Sequence, residues 1–237
     1  MNSRAEQVAA FVLHSRPYRE TSALVDLLTL EYGKVTVVAR GARRAGSQLR
    51  HTLQAFTALA VRFAGKNELK TLHQAETVEV AASLNGNALL CGLYANELIE
   101  RLLQPLESMP QLFLHYRILL NDLREANDLE VSLRLFEKVL LKELGHWRDL
   151  SNCHHAYYRL NQQQELCHVD DSLHAQFTGQ QLRAIEHDNF ADESTKRAAK
   201  RLMRALLQHQ LGERPLRSRE LFQLRARESQ EITFDSP

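Results

Sequence analysis

Thr21-Ser-Ala-Leu-Val-Asp-Leu-Leu-Thr-Leu-Glu-Tyr-Gly-Lys-Val-Thr-Val-Val-Ala-Arg-Gly41 carries the pattern that decides the fold. Thr21 to Leu30 is rich in Leu, Val and Thr, Tyr32-Gly33 supplies a turn, and Lys34 to Arg40 is a β-branched run ending at Gly41. Such residues fit a pleated, half-buried surface, so the two runs read as strands joined by a turn. Upstream, Val8 to His14 is a compact apolar run that ends at the breaker Arg16-Pro17. Downstream, Thr57, Leu59, Val61 and Phe63 alternate with Ala58, Ala60 and Arg62, and Gly65-Lys66-Asn67 turns the chain into a longer extended stretch, Leu69 to Val80. Five short strands spaced by about ten residues predict a small barrel or sandwich.

Past Asn85-Gly86-Asn87 the apolar period becomes helical. Leu89, Leu90, Leu93, Leu98, Ile99, Leu102 and Leu103 mark one helix, stopped by Pro105, and Pro110 opens a second. A third starts near Asp128, turns Leu129, Leu133, Phe136, Val139, Leu140 and Leu144 inward, and stops at Gly145, beside which Trp147 is expected to pack. Residues 146–177 lose all periodicity and collect His, Cys, Tyr and Asn. Thr178 with Gln181 then forms a capping-box signature. A longer helix follows Ser194 and is stopped by Gly212, and Pro215 leads into a short amphipathic piece around Ser218 to Leu224, ahead of a polar tail.

The chain has 237 residues, 44% hydrophobic and 25% charged, which suits a globular protein with a buried core and excludes disordered and collagen-like classes. No apolar run approaches the length of a membrane span, and no apolar segment of signal-peptide type follows Met1 to Gln7. Three cysteines, an odd number, argue against a disulfide framework and fit a cytoplasmic protein.

The formal net charge of +1 would exclude a polyanionic partner if charge were spread evenly, and it is not. Residues 1–80 carry 11 basic and 7 acidic side chains, residues 81–195 carry 9 and 17, and residues 196–237 carry 10 and 5. From Lys34 to Lys70 eight positive charges face the single Glu68, a pattern that meets polyanions. Gly41-Ala-Arg-Arg-Ala-Gly46 has glycines near phosphate-loop spacing but lacks the lysine that reaches nucleotide phosphates, so it reads as a mobile hairpin loop whose Arg43 and Arg44 grip a phosphate backbone. Cys153-His154-His155, Cys167-His168 and His174 lack the paired spacing of a zinc knuckle. Cys91 lies in an apolar helix and reads as core. No nucleophile-elbow, metalloprotease or paired-carboxylate signature stands out, which points away from an enzyme.

Several stretches together resemble the RecO family of bacterial recombination mediator proteins. They are Phe11-Val-Leu-His-Ser-Arg-Pro-Tyr-Arg-Glu-Thr-Ser22, Gly33-Lys-Val with Ala39-Arg-Gly-Ala-Arg43, Leu69-Lys-Thr-Leu-His-Gln-Ala-Glu76, Gly92-Leu-Tyr-Ala-Asn-Glu-Leu98 and Arg217-Ser-Arg-Glu-Leu-Phe222. The resemblance implies an α+β chain with an N-terminal five-stranded OB-fold barrel at residues 1–80. A helical domain at 81–237 follows, carrying a zinc module inserted at about 146–177. It also implies binding of single- and double-stranded DNA, annealing of complementary strands, and work with RecR and the single-stranded-DNA-binding protein to load the RecA recombinase, at the nucleoid. Zinc-bearing members carry two C-x-x-C pairs, whereas only Cys153 and Cys167 stand in that region here. A compact insertion without metal is therefore expected, and no cofactor.

An OB barrel tracks a strand with positive charge and stacks bases on aromatic rings. Lys34, Arg40, Arg43, Arg44, Arg50, Lys66 and Lys70 are the expected phosphate contacts, with Tyr18 and Tyr32 as stacking platforms and Phe11, Phe56 and Phe63 as barrel core. Lys196, Arg197, Lys200, Arg201 and Arg204 form a second basic surface, suited to a second strand or to the acidic, aromatic-tipped tail of the single-stranded-DNA-binding protein. The alternative is a protein–protein adaptor with a structural barrel and no DNA role.

Overall fold

The computed structural model describes residues 7–79, 83–222 and 224. The N-terminal hexapeptide, Val80 and the polar tail lie outside the described residues. Five strands, β1 (Val8–Tyr18), β2 (Ser22–Thr29), β3 (Gly33–Ala39), β4 (Ala58–Ala64) and β5 (Lys70–Glu79), close into a barrel in the order β1-β2-β3-β5-β4. All neighbours are antiparallel except β3 and β5, which run parallel with Val37 opposite Lys70. Alternation drives closure: Val35, Val37 and Ala39 enter the interior with Val12, Val25, Leu27, Leu59, Val61 and Leu72, while Lys34, Thr36 and Val38 point out. This is the OB-fold topology. A four-residue helix, α1 (Leu49–Thr52), sits in the β3–β4 connection, too short for a periodic signal.

Two readings of β1 need correction. The strand does not end at Arg16-Pro17 but continues to Tyr18, with Pro17 opposite Ala23. Proline is tolerated because β1 pairs with β4 only from Val8 to Phe11 and bonds the chain ahead of β4, at Phe56 and Thr57, through Val12, so past Val12 its second edge is free and needs no N–H at Pro17. Phe11 and Phe56 are also not barrel core. Phe11 points outward, its ring 5.1 Å from Phe113 and 5.2 Å from Tyr116 of α3 (Pro110–Glu125). Phe56, at φ +69°, lies under α2 (Gly86–Leu102), where a Cβ on Gly92 would come within 2.9 Å of its ring. Only Phe63 packs on the barrel interior. Asn96 of α2 ties the layers, donating to the Leu13 carbonyl at 2.7 Å and accepting from the Tyr116 hydroxyl at 2.6 Å.

By packing, the chain forms two compact units, one running to Asn127 and resuming at Leu216, the other Asp128–Pro215. The switch from strand to helix near residue 80 is thus internal to the first unit. In the second, α4 (Leu129–Glu143) is capped by Asp128, α5 (Gly179–Glu186) by the expected Thr178–Gln181 box, and α6 (Glu193–Leu211) by Asp192, two residues before Ser194. Residues 157–178 form a three-stranded sheet, β6 (Tyr157–Leu160), β7 (Leu166–Val169) and β8 (Phe177–Thr178), in the order β7-β6-β8. Trp147 packs as expected, with the Lys138 ammonium of α4 5.7 Å from its ring centroid. Among the described residues no helix is long and apolar enough to cross a membrane.

The returning segment is pinned to α2 by Glu97, whose carboxylate accepts from the Arg217 N–H at 2.9 Å, the Ser218 N–H at 2.9 Å and the Ser218 hydroxyl at 2.6 Å. Burial alone would raise the Glu97 pKa, but the donors of Ser218 and Arg217 hold it below its usual 4.5. A lowered folded value means stabilisation that is present above 4.5 and is lost as the pH falls through the folded value. Glu97→Gln is expected to lower unfolding free energy by about 1.5–3 kcal/mol at neutral pH. Denaturant titration of both proteins should show this gap closing in acid.

Candidate nucleic-acid interface

The strand register gathers one end of the barrel. Tyr18 pairs with Ser22, Ala23 with Ala39, Val38 with Thr71, and Ala64 with Thr71, so the β1–β2 turn, the end of β3 and the β4–β5 loop share a rim. Arg40, Arg43, Arg44, Lys66 and Lys70 belong to this rim. Arg16 and Arg19, absent from the expected set, join them. Arg19 lies 5.2 Å from the Tyr18 ring centroid, and Arg16 pairs with Asp26, a buried carboxylate that also accepts from Thr36 at 2.6 Å. Only the hairpin register places Arg16 on the outer face, opposite Leu24 and then Val38, a signal masked by reading Pro17 as a breaker. Two carboxylates, Glu20 and Glu68, share the rim.

The Gly41–Gly46 segment is not a hairpin loop. Its turns are hydrogen-bonded in series, Arg44 N–H to Gly41 at 3.1 Å and Ser47 N–H to Arg44 at 3.1 Å, and lead into α1. The reason is topological: β3 pairs with β5, so the chain must cross to β4. The Arg43 N–H donates to Thr21 at 2.9 Å and its guanidinium to the Arg19 carbonyl at 3.3 Å, fixing the segment to the β1–β2 turn. Arg44 folds over Gly41, whose φ of +71° suits glycine.

Other expected contacts sit elsewhere. Lys34 lies at the opposite end of β3, half-buried, with Nζ on the Glu100 carbonyl at 2.6 Å; burial lowers its pKa against the pull of Glu100 and Asp26. Tyr32 is in the β2–β3 turn, edge-on to Phe63 at 5.7 Å, so the two tyrosines occupy opposite ends of β2. Arg50 projects from α1. On α6, Lys196 binds Asp128 at 2.7 Å and Glu193 at 3.0 Å, which pushes its pKa up to about 12. Lys200 pairs with Glu130 at 3.3 Å, and Arg201 donates to the Gln176 carbonyl with its guanidinium near Phe177. Arg197 and Arg204 are exposed and make no ion pair among the described residues.

The insertion does not fit zinc. Cys153 is buried, which raises its pKa although the Tyr158 hydroxyl bonds the thiol and Arg183 lies near. Cys167 is exposed on β7, and the His155 and His168 rings stack at 4.4 Å. Among the described residues no three metal-type ligands converge. A guanidinium beside the buried thiol opposes a cation, and protein contacts hold the segment instead. Arg183 donates to the Cys153 carbonyl, and Gly179 is so tightly seated that a Cβ would lie 2.3 Å from the His155 carbonyl oxygen.

An OB barrel with a basic rim, continued by helices and a small sheet, defines the class of this protein. Residues 1–81 match the family model Recombination protein O N terminal, and residues 83–220 match Recombination protein O C terminal. The chain is 43% identical over 222 residues to a DNA repair protein RecO of Enterobacter sp., covering 90% of this chain and 94% of the relative. It is 41% identical over 229 residues to one of Haemophilus influenzae, covering 92% and 96%. The chain belongs to the RecO family of DNA repair proteins.

Chelator treatment is expected to leave the Tm unchanged, whereas Gly179→Ala should cost about 1–3 kcal/mol of stability through overpacking, both readable by calorimetry.

Proposed function

We propose that this chain is a DNA-binding recombination mediator that holds single strands across the basic rim of its barrel. The observation that carries this reading is the convergence of Arg16, Arg19, Arg40, Arg43, Arg44, Lys66 and Lys70 with Tyr18 at one rim. Phosphates would meet the guanidinium and ammonium groups while a base stacks on Tyr18. Neutralising the repulsion between complementary strands in this way favours annealing, and the family resemblance adds double-stranded DNA, RecR and recombinase loading. For the acidic, aromatic-tipped tail of the single-stranded-DNA-binding protein, the second unit offers a cavity of about 280 Å³ floored by Leu150, Leu160, Leu202 and Leu206, with His209 in its lining and Arg148 there paired to Glu165 at 2.9 Å, a pair that the tail's carboxylates would have to replace. Lys34 and the paired lysines of α6 serve stability in this reading.

Affinity for a short oligonucleotide should fall steeply with salt, at a log–log slope of about −0.7 per phosphate contacted. Arg43→Ala with Arg44→Ala should flatten the slope by about 1.4, measured by fluorescence anisotropy. Lys34→Met should leave the slope alone and lower stability by about 1 kcal/mol. An unchanged slope in the double arginine variant, with RecR still captured, would favour the adaptor reading.

A further inference from the structure

Between the second half of β1 and α1 lies a cleft of about 250 Å³. It exists because β1 leaves β4 after Phe11 and, past the irregularity between Val12 and His14, follows β2 alone. The chain from Leu49 to Ala55 faces the edge thus freed. The floor is made of small and aliphatic side chains, Ala23, Ala42, Leu49 and Leu53, and the walls carry His14, Ser15, Arg43, Arg50 and Gln54. No carboxylate lines the cleft, and Arg50 makes no ion pair among the described residues. Among the described residues the Arg43 guanidinium meets only carbonyl oxygens, those of Arg19 and Glu20.

Two guanidinium groups without countercharge call for an anion. A bare phosphate would leave the apolar floor wet, so the ligand needs an apolar face as well as a charge. The volume lies below the roughly 300–1,000 Å³ of drug-sized sites, which argues for one compact unit over a length of peptide. We propose that this cleft takes a single nucleotide, its base on the floor and its phosphate held by Arg43 and Arg50. Gln54 has its amide nitrogen committed to the Arg50 carbonyl at 2.5 Å, which leaves Oε1 to accept from a base N–H. The proposal rests on the DNA-binding reading and extends it, because Arg43 belongs to both rim and cleft. A strand crossing the rim would have one nucleotide turned off the barrel face and seated against α1.

Deoxythymidine monophosphate, added to the full chain and followed by amide shifts, tests this. Saturable shifts are expected at Ser15, Ala42, Leu53 and Ala55, with thymidine and inorganic phosphate each at least about tenfold weaker. Arg50→Ala should weaken the mononucleotide about tenfold, and Ala55→Trp, which fills the cleft from a half-exposed position, should abolish the shifts in a protein with a native circular dichroism spectrum. Phosphate binding as well as the mononucleotide would overturn the proposal in favour of a bare anion site. Displacement of the mononucleotide by an acidic aromatic peptide of higher affinity would overturn it in favour of a protein partner. Absent shifts alongside an oligonucleotide affinity that still depends on Arg44 would sink the cleft and spare the rim. Loss of oligonucleotide binding with the shifts retained would do the reverse.

Discussion

The outer face of β1 is apolar, and covering it dictates where the helices of the first unit can be. Phe11 and Leu13 point away from the barrel interior and would be wet on an isolated barrel. Helices α2 and α3 bury them, with Phe113 and Tyr116 against Phe11 and the Asn96 amide satisfying the Leu13 carbonyl. The connection between those helices then closes the β2–β3 end of the barrel. Leu106 N–H donates to Lys34, the Ser108 hydroxyl donates to Leu30, and the Gly33 Cα approaches the Glu107 carbonyl so closely that no side chain fits. With one end closed by protein, the opposite rim is what the first unit leaves to a ligand, and the arginines collect there.

This dependence explains what the amino-acid sequence discloses and what it hides. Alternation in Gly33–Ala39 and Ala58–Ala64 reports which side chains alternate, because period two is a property of the strand itself. The Thr178–Gln181 box reports a helix start for the same reason, since its donors lie within one turn. Phe11 and Phe56 have no such local reporter. An aromatic residue next to a strand looks the same whether it enters the barrel or lies under a helix more than a hundred residues downstream, as Phe113 is from Phe11. Pro17 misleads in the same way, because whether proline breaks a strand depends on which edge is paired.

Charge is subject to the same distinction. Five basic residues on α6 make a stripe in the sequence, yet Lys196 and Lys200 find Asp128 and Glu130 at the start of α4, some seventy residues earlier. Those carboxylates belong to the acidic middle that makes the chain nearly neutral. The barrel rim has a smaller supply: Glu20 and Glu68 share it, and Asp26 is already shared by Arg16 and Thr36.

Electrostatic function therefore follows from which charges remain uncommitted after folding, and a count of charges is a poor guide to it. A guanidinium already held by a carboxylate must give up that pair before it meets a phosphate, and the exchange yields little net free energy. One that meets only carbonyls, as Arg43 does among the described residues, keeps most of its attraction for an anion. By that criterion the stripe on α6, the denser of the two in the sequence, gives up Lys196 and Lys200 and keeps Arg197, Arg201 and Arg204. The rim, whose members are scattered from Arg16 to Lys70 and brought together by the barrel's closure, gives up Arg16 to Asp26, and among the described residues its other arginines and lysines form no ion pair.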